Sequence, residues 1–132
     1  MKICHWAAWY TFTIMKQIIT SAFYLLTIFA VSHYIFEPTY LYYELWWLDI
    51  PMHIMGGFGV ASLTSAILSY FDKETSFWKL FVVYAVVAIA WESYEYMRDI
   101  VSYTEWNGWF DTLKDFVDGL IGVGFAYFFI RR

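Results

Sequence analysis

A chain of 132 residues with 61% hydrophobic and 25% aromatic residues, against only 15% charged, is too apolar for a water-soluble domain, where apolar usage is nearer half. A net charge of -4 with no basic cluster excludes a nucleic-acid-binding surface. The single cysteine, Cys4, excludes an internal disulfide and a cysteine-rich zinc site. By length this is one integral membrane domain spanning residues 1–132.

In chain order, Met1 to Lys16 carries Trp6, Trp9 and Tyr10 and reads as a short interfacial segment. The apolar stretch that follows is too long for a signal-peptide core, and no small-x-small cleavage site comes after it, so it is expected as a retained span. A spanning helix needs about 20 mainly apolar residues. Four stretches meet this: Gln17 to Phe36, Ile50 to Phe71, Trp78 to Met97 and Leu113 to Ile130. Pro38 and Pro51 suit a helix end and a helix start. Residues 40–48 are aromatic enough to lie in the interface. The expected fold is therefore an all-α membrane protein, a four-transmembrane-helix bundle. Lys2, Lys16, Lys73, Lys79, Arg131 and Arg132 fall on one side of it, against Arg98 and Lys114 on the other. The excess of basic residues puts both termini in the cytoplasm.

That orientation, chosen without the acidic residues, brings seven ionisable groups to the outer membrane boundary. Asp49 and His53 open the second span, Glu92 and Glu95 close the third, and Asp111, Asp115 and Asp118 open the fourth. Ionisable groups at such depth are costly and mark functional sites by default. Spacings of four, three, and four-then-three residues keep each set on one helical face. Carboxylates gathered this closely repel one another unless protons or a cation neutralise them, and bundle interiors build metal sites from side chains on facing helices. All seven residues are candidate ligands of a divalent metal. The oxygen-rich set suits Mg²⁺, Ca²⁺ or Mn²⁺, and one imidazole tilts it toward Mn²⁺, Fe²⁺ or Zn²⁺. Glu92 and Glu95 are also the candidate catalytic bases. His33 and Glu37, at the end of the first span, are weaker candidates to join from the remaining helix. In the bland alternative, Arg98 and Lys114 pair with Glu95 and Asp111, and Asp111 merely favours a helix start. Gly56, Gly57 and Gly59 on the second span, with Gly119, Gly122 and Gly124 on the fourth, predict that these two helices cross closely near the site.

The order Asp49-x3-His53-x2-Gly56, then Trp91-Glu92-x2-Glu95, then Asp111-x3-Asp115-x2-Asp118-Gly119 resembles the YjdF-type bacterial inner-membrane proteins and, more distantly, the VanZ-like group. The likeness covers residues 45–125. It implies a small polytopic protein of the bacterial inner membrane with a link to the cell envelope, since VanZ itself is tied to teicoplanin resistance. Asp115 or Asp118 stands where the VanZ-like pattern has asparagine.

Three functions compete. A metal-dependent hydrolase or transferase would act on a lipid or lipid-linked envelope substrate, since the site opens at headgroup depth. A cation or proton transporter or channel would use the carboxylates as a relay, although the inner halves of the spans are almost uncharged. In the third reading metal or salt bridges only staple a bundle that acts by binding a partner protein, and a homo-oligomer is also a candidate state of the chain.

Overall fold

The computed structural model describes residues 2–97 and 108–130, and these are all-helical. α1 (Lys2–Val31) runs into a π-helical turn (Ser32–Phe36), and a short α2 (Leu41–Glu44) and a 3-10 turn (Trp46–Leu48) lead into α3 (Asp49–Tyr70). α4 (Phe77–Met97) and α5 (Gly108–Ile130) complete the chain. Three helical stretches are long and apolar enough to cross a membrane, Trp9–Phe36, Trp46–Tyr70 and Phe77–Met97. α5 has the length, with 23 residues, but carries Asp111, Lys114, Asp115 and Asp118 in its first half. The first helix differs from expectation. Residues 2–16 are not a separate interfacial piece but continue α1 without a break, because nothing between Lys2 and Val31 interrupts the helical backbone. Arg98, Arg131 and Arg132, which entered the orientation argument, lie outside the described residues.

α3 and α5 form the centre. They run in the same direction: Asp49 and His53 are level with Lys114 and Asp115, Gly57 lies against Gly119, Gly122 against the Ile54 carbonyl and the Phe58 amide, and Ala61 packs with Val123 and Ala126. A Cβ on Gly57 would lie 1.9 Å from the Gly119 carbonyl oxygen, and one on Gly122 would lie 2.0 Å from that of Ile54. The glycines thus permit backbone-to-backbone contact, the way small residues bring membrane helices together where hydrocarbon supplies no hydrophobic drive. Below this crossing Ala61, Leu80, Tyr84, Val123 and Ala126 pack into a core that is at most 5% exposed. Tyr84 reaches from α4 and donates from its hydroxyl to the Phe116 carbonyl at 2.7 Å. Gly119 leaves room for that ring, since a Cβ there would meet the Tyr84 hydroxyl.

The α3–α4 turn is tight. Asp72 takes a left-handed backbone (φ 52°), and the Lys73 amide donates back to the Leu68 carbonyl at 2.8 Å. This is the capping bond that closes a helix with a left-handed residue. The Ser65 and Thr75 hydroxyls, 3.1 Å apart, tie the turn to α3. So short a connection makes α3 and α4 antiparallel neighbours. α1 packs against α3, while its approach to α4 is carried by side chains such as the Phe29–Trp91 edge contact, with ring centroids 6.0 Å apart. Large apolar side chains stay exposed along α1, among them Ile19, Phe23 and Leu26. In a membrane this surface faces lipid, which has no reason to reject it.

Candidate metal centre

Asp49 begins α3, and His53 stands one turn further on the same face. Asp115 comes from α5, held at that level by the glycine crossing that lies one to two turns deeper. His53 Nε2 lies 3.2 Å from Asp49 Oδ1 and 3.6 Å from Asp115 Oδ2. One ligand atom from each of the three residues falls within 4.8 Å of the others. A tetrahedral ion with bonds near 2 Å keeps its ligand atoms about 3.3 Å apart, so these spacings fit an ion as well as a hydrogen-bonded pair. Asp49 and Asp115 also approach within hydrogen-bonding reach of each other. Two carboxylates that close require a shared proton or a cation.

A cation is already present in the chain. Lys114 Nζ is 2.7 Å from Asp49 Oδ2, contacts Asp115 Oδ1, and lies 3.6 Å from Asp118 Oδ2. The ammonium holds the oxygens that face away from His53, leaving Asp49 Oδ1 and Asp115 Oδ2 on the imidazole side. Where the bland alternative pairs Lys114 with Asp111, its ion pairs in the structure are with Asp49, Asp115 and Asp118.

A cavity of about 170 Å³ opens beside the triad. Asp49, His53 and Asp115 line it, and so do Glu92 and Glu95 from α4. Five of the seven predicted residues thus converge on one space. Glu92 accepts a hydrogen bond from Thr112, and Glu95 accepts one from the Trp91 indole. Glu95 also feels the charges of His53, Asp49 and Glu92. Neither glutamate joins the close three-residue group among the described residues. Asp111 and Asp118 are on the Asp115 face of α5 but do not line the cavity. A helix rises 1.5 Å per residue, so they sit about 6 Å above and about 4.5 Å below Asp115 along the axis. Only the middle residue of the stripe meets Asp49 and His53.

His33 and Glu37 pair with each other, Nδ1 to Oε2 at 2.6 Å, and do not line the cavity. Glu37→Ala is expected to leave metal content unchanged, measured by elemental analysis of the purified protein. Loss equal to that of an Asp115→Ala variant would mean that the pair belongs to the site. The cavity wall on this side is instead Leu25 and Phe29 of α1 with Ser32 of the π-helical turn. The Ser32 and Tyr42 hydroxyls are 2.7 Å apart, and both residues line the cavity. Burial pushes the Tyr42 phenol up to about 12, which the Ser32 contact partly opposes. Tyr42 therefore keeps its proton at neutral pH and can donate into the site. The sequence did not single out Ser32 or Tyr42, and it offered Lys114 only as a partner of Asp111. The first two lie on the far side of a turn whose path the sequence does not show, and the Lys114–Asp49 pairing joins residues 65 apart. The one local signal was the four-residue spacing of Lys114 and Asp118.

No protein-family model matches the chain, and no curated protein or solved structure is significantly similar to it.

Proposed function

We propose that this protein is a membrane-embedded, metal-dependent hydrolase or transferase acting on a lipid or lipid-linked substrate of the bacterial cell envelope. One observation carries the reading: a single cavity, largely apolar along its wall, gathers Asp49, His53 and Asp115 at metal-binding spacing and two further carboxylates that stand off from that group. A three-ligand site leaves a metal open to water or substrate, as catalytic sites do and structural sites do not. Mn²⁺, Zn²⁺ and Fe²⁺ suit one imidazole with two carboxylates better than Mg²⁺ or Ca²⁺. When bound, such an ion polarises an ester or phosphoryl oxygen and acidifies water.

The chain's own groups supply the rest. Lys114 holds the outer oxygens of Asp49 and Asp115 and so orients their inner oxygens toward His53. Glu95, steadied by the Trp91 indole, is the proposed general base, with Glu92 beside it. Tyr42 is placed to donate to a substrate oxygen. The four-span arrangement with cytoplasmic termini belongs to this proposal too. It is supported by Lys73 and Lys79 at the α3–α4 turn, the end of α3 away from Asp49, which the positive-inside rule assigns to the cytoplasm. The site then opens outward. The likeness to YjdF-type and VanZ-like proteins points to the same compartment and rests on motif order alone. A conduit is less well supported: beyond the cavity the interior is closed by Ala61, Leu80, Val123 and Ala126.

The test is turnover. Metal-loaded protein in liposomes of envelope lipid extract should change the extract's composition, read by mass spectrometry, and Glu95→Gln should lower the rate at least a hundredfold while retaining metal, in line with the loss of general-base catalysis. Retained metal with no change in any lipid would favour the staple.

A further inference from the structure

Gly56 is not explained by packing. It lies in the middle of α3, where glycine costs a helix about 1 kcal/mol relative to alanine. Yet a Cβ built on it meets nothing within 4 Å, in contrast to Gly57 one residue later. The space it leaves is the cavity, which Gly56 lines one turn below His53. Leu25, Phe29, Val60 and Val87 continue the wall from there. The cavity therefore has two chemically distinct ends, one of carboxylates, imidazole and hydroxyls, the other of hydrocarbon. Leu25 and Phe29 of α1 and Val87 and Trp91 of α4 wall it where these two helices meet through side chains such as the Phe29–Trp91 edge contact. Both flanking helices are long and apolar enough to be membrane spans, so a side entrance between them meets lipid tails.

We infer that the apolar end of this cavity is a subsite for one hydrocarbon chain of a lipid, which enters between α1 and α4 past Phe29 and Trp91 and lies along Gly56 with its polar head at Asp49, His53 and Asp115. The inference deepens the proposed enzyme reading and rests on it for the polar end alone. An apolar cavity of about 150 Å³ accommodates a benzene molecule, and the whole space here, polar end included, measures about 170 Å³, so its apolar end holds only the first few carbons next to the head, and the remainder of the chain runs out between α1 and α4. One chain fits and two do not, which points to single-chain amphiphiles or to lipids that insert one of their chains.

The experiment uses a 16-carbon lysophospholipid carrying a diazirine on its first few chain carbons, added to the full-length protein in nanodiscs, with labelled residues mapped by mass spectrometry and metal content read on the same samples. The expected result is labelling of Leu25, Val60 and Val87 several-fold above that of the lipid-facing Phe23 and Val86, which are 70% and 64% exposed, and competition by unlabelled lysophospholipid. Gly56→Leu, which puts four carbons into the space, should abolish the cavity labels while sparing Phe23 and Val86. Gly56→Ala should fold like the parent and label less. Cavity labels no stronger than those at Phe23 and Val86 would overturn the inference without recourse to any variant, as would undiminished labelling in a folded Gly56→Leu protein. Wild-type protein that labels in the cavity but retains no metal would uphold the chain subsite and remove the enzyme reading, so the two fail separately.

Discussion

Leucine in place of Gly57 or Gly122 should destabilise the protein by about 3 kcal/mol and strip the site of metal. Overpacking a core usually costs about 1–3 kcal/mol, and these positions fall at the upper end because the atoms in the way, the carbonyls of Gly119 and Ile54, belong to helix backbones. A flexible side chain would rotate aside, whereas a backbone oxygen moves only if its helix moves. Helix propensity acts in the opposite direction by about 1 kcal/mol, too little to change the sign. The site follows because Asp49 and His53 ride on α3 and Asp115 on α5, so separating the helices separates the ligands. Even Gly57→Ala should lower the thermal midpoint in detergent. Gly124→Ala, whose Cβ meets nothing within 4 Å, should leave it unchanged or slightly higher. Equal midpoints for Gly57→Ala and the parent would mean that the α3–α5 crossing is looser than described.

Lys114→Met should be the most damaging charge substitution. Its ammonium is shared among Asp49, Asp115 and Asp118, and Asp115 is only 4% exposed. Removing one partner of a buried ion pair costs about 3–5 kcal/mol, because a charge is left in a poor solvent. Asp49 keeps some access to solvent, which places the effect near 3 kcal/mol. A divalent ion on the His53 side should offset part of the loss. The drop in thermal midpoint is thus expected to be larger in chelator than in excess Mn²⁺ or Zn²⁺, with Lys114→Arg close to the parent in both. A methionine variant as stable as the parent in chelator would show that the carboxylates share protons rather than depend on the lysine.

Spacing made the ligand helices legible in the sequence. His53 four residues after Asp49 can only share its face, and Asp115 sits on the one acidic stripe of the last helix. The glycines of α3 and α5 announced which two helices cross. Two aspartates of the stripe mark the limit of such reasoning: periodicity reports the face of a helix but not the height on it, and at 1.5 Å per residue Asp111 and Asp118 fall beyond the cavity. Lys114 is the other lesson. Its neighbours in sequence include Asp115, but its closest tie outside α5 is to Asp49, and which helices face each other is decided by packing. Gly56 and Gly57 look identical in the sequence. One is required by a backbone contact and the other faces open space, a difference visible only once α5 is in place.

Asp49, His53 and Asp115 are the proposed ligands of a metal ion. Elemental analysis of detergent-purified protein beside a His53→Ala, Asp115→Ala double variant tests this assignment most directly. One equivalent of Mn, Zn or Fe in the parent, absent from the variant, is the expected result, and the element would narrow the chemistry. No metal in the parent, even after loading and buffer exchange, would contradict the claim and leave Lys114 as the cation that the two aspartates were built around.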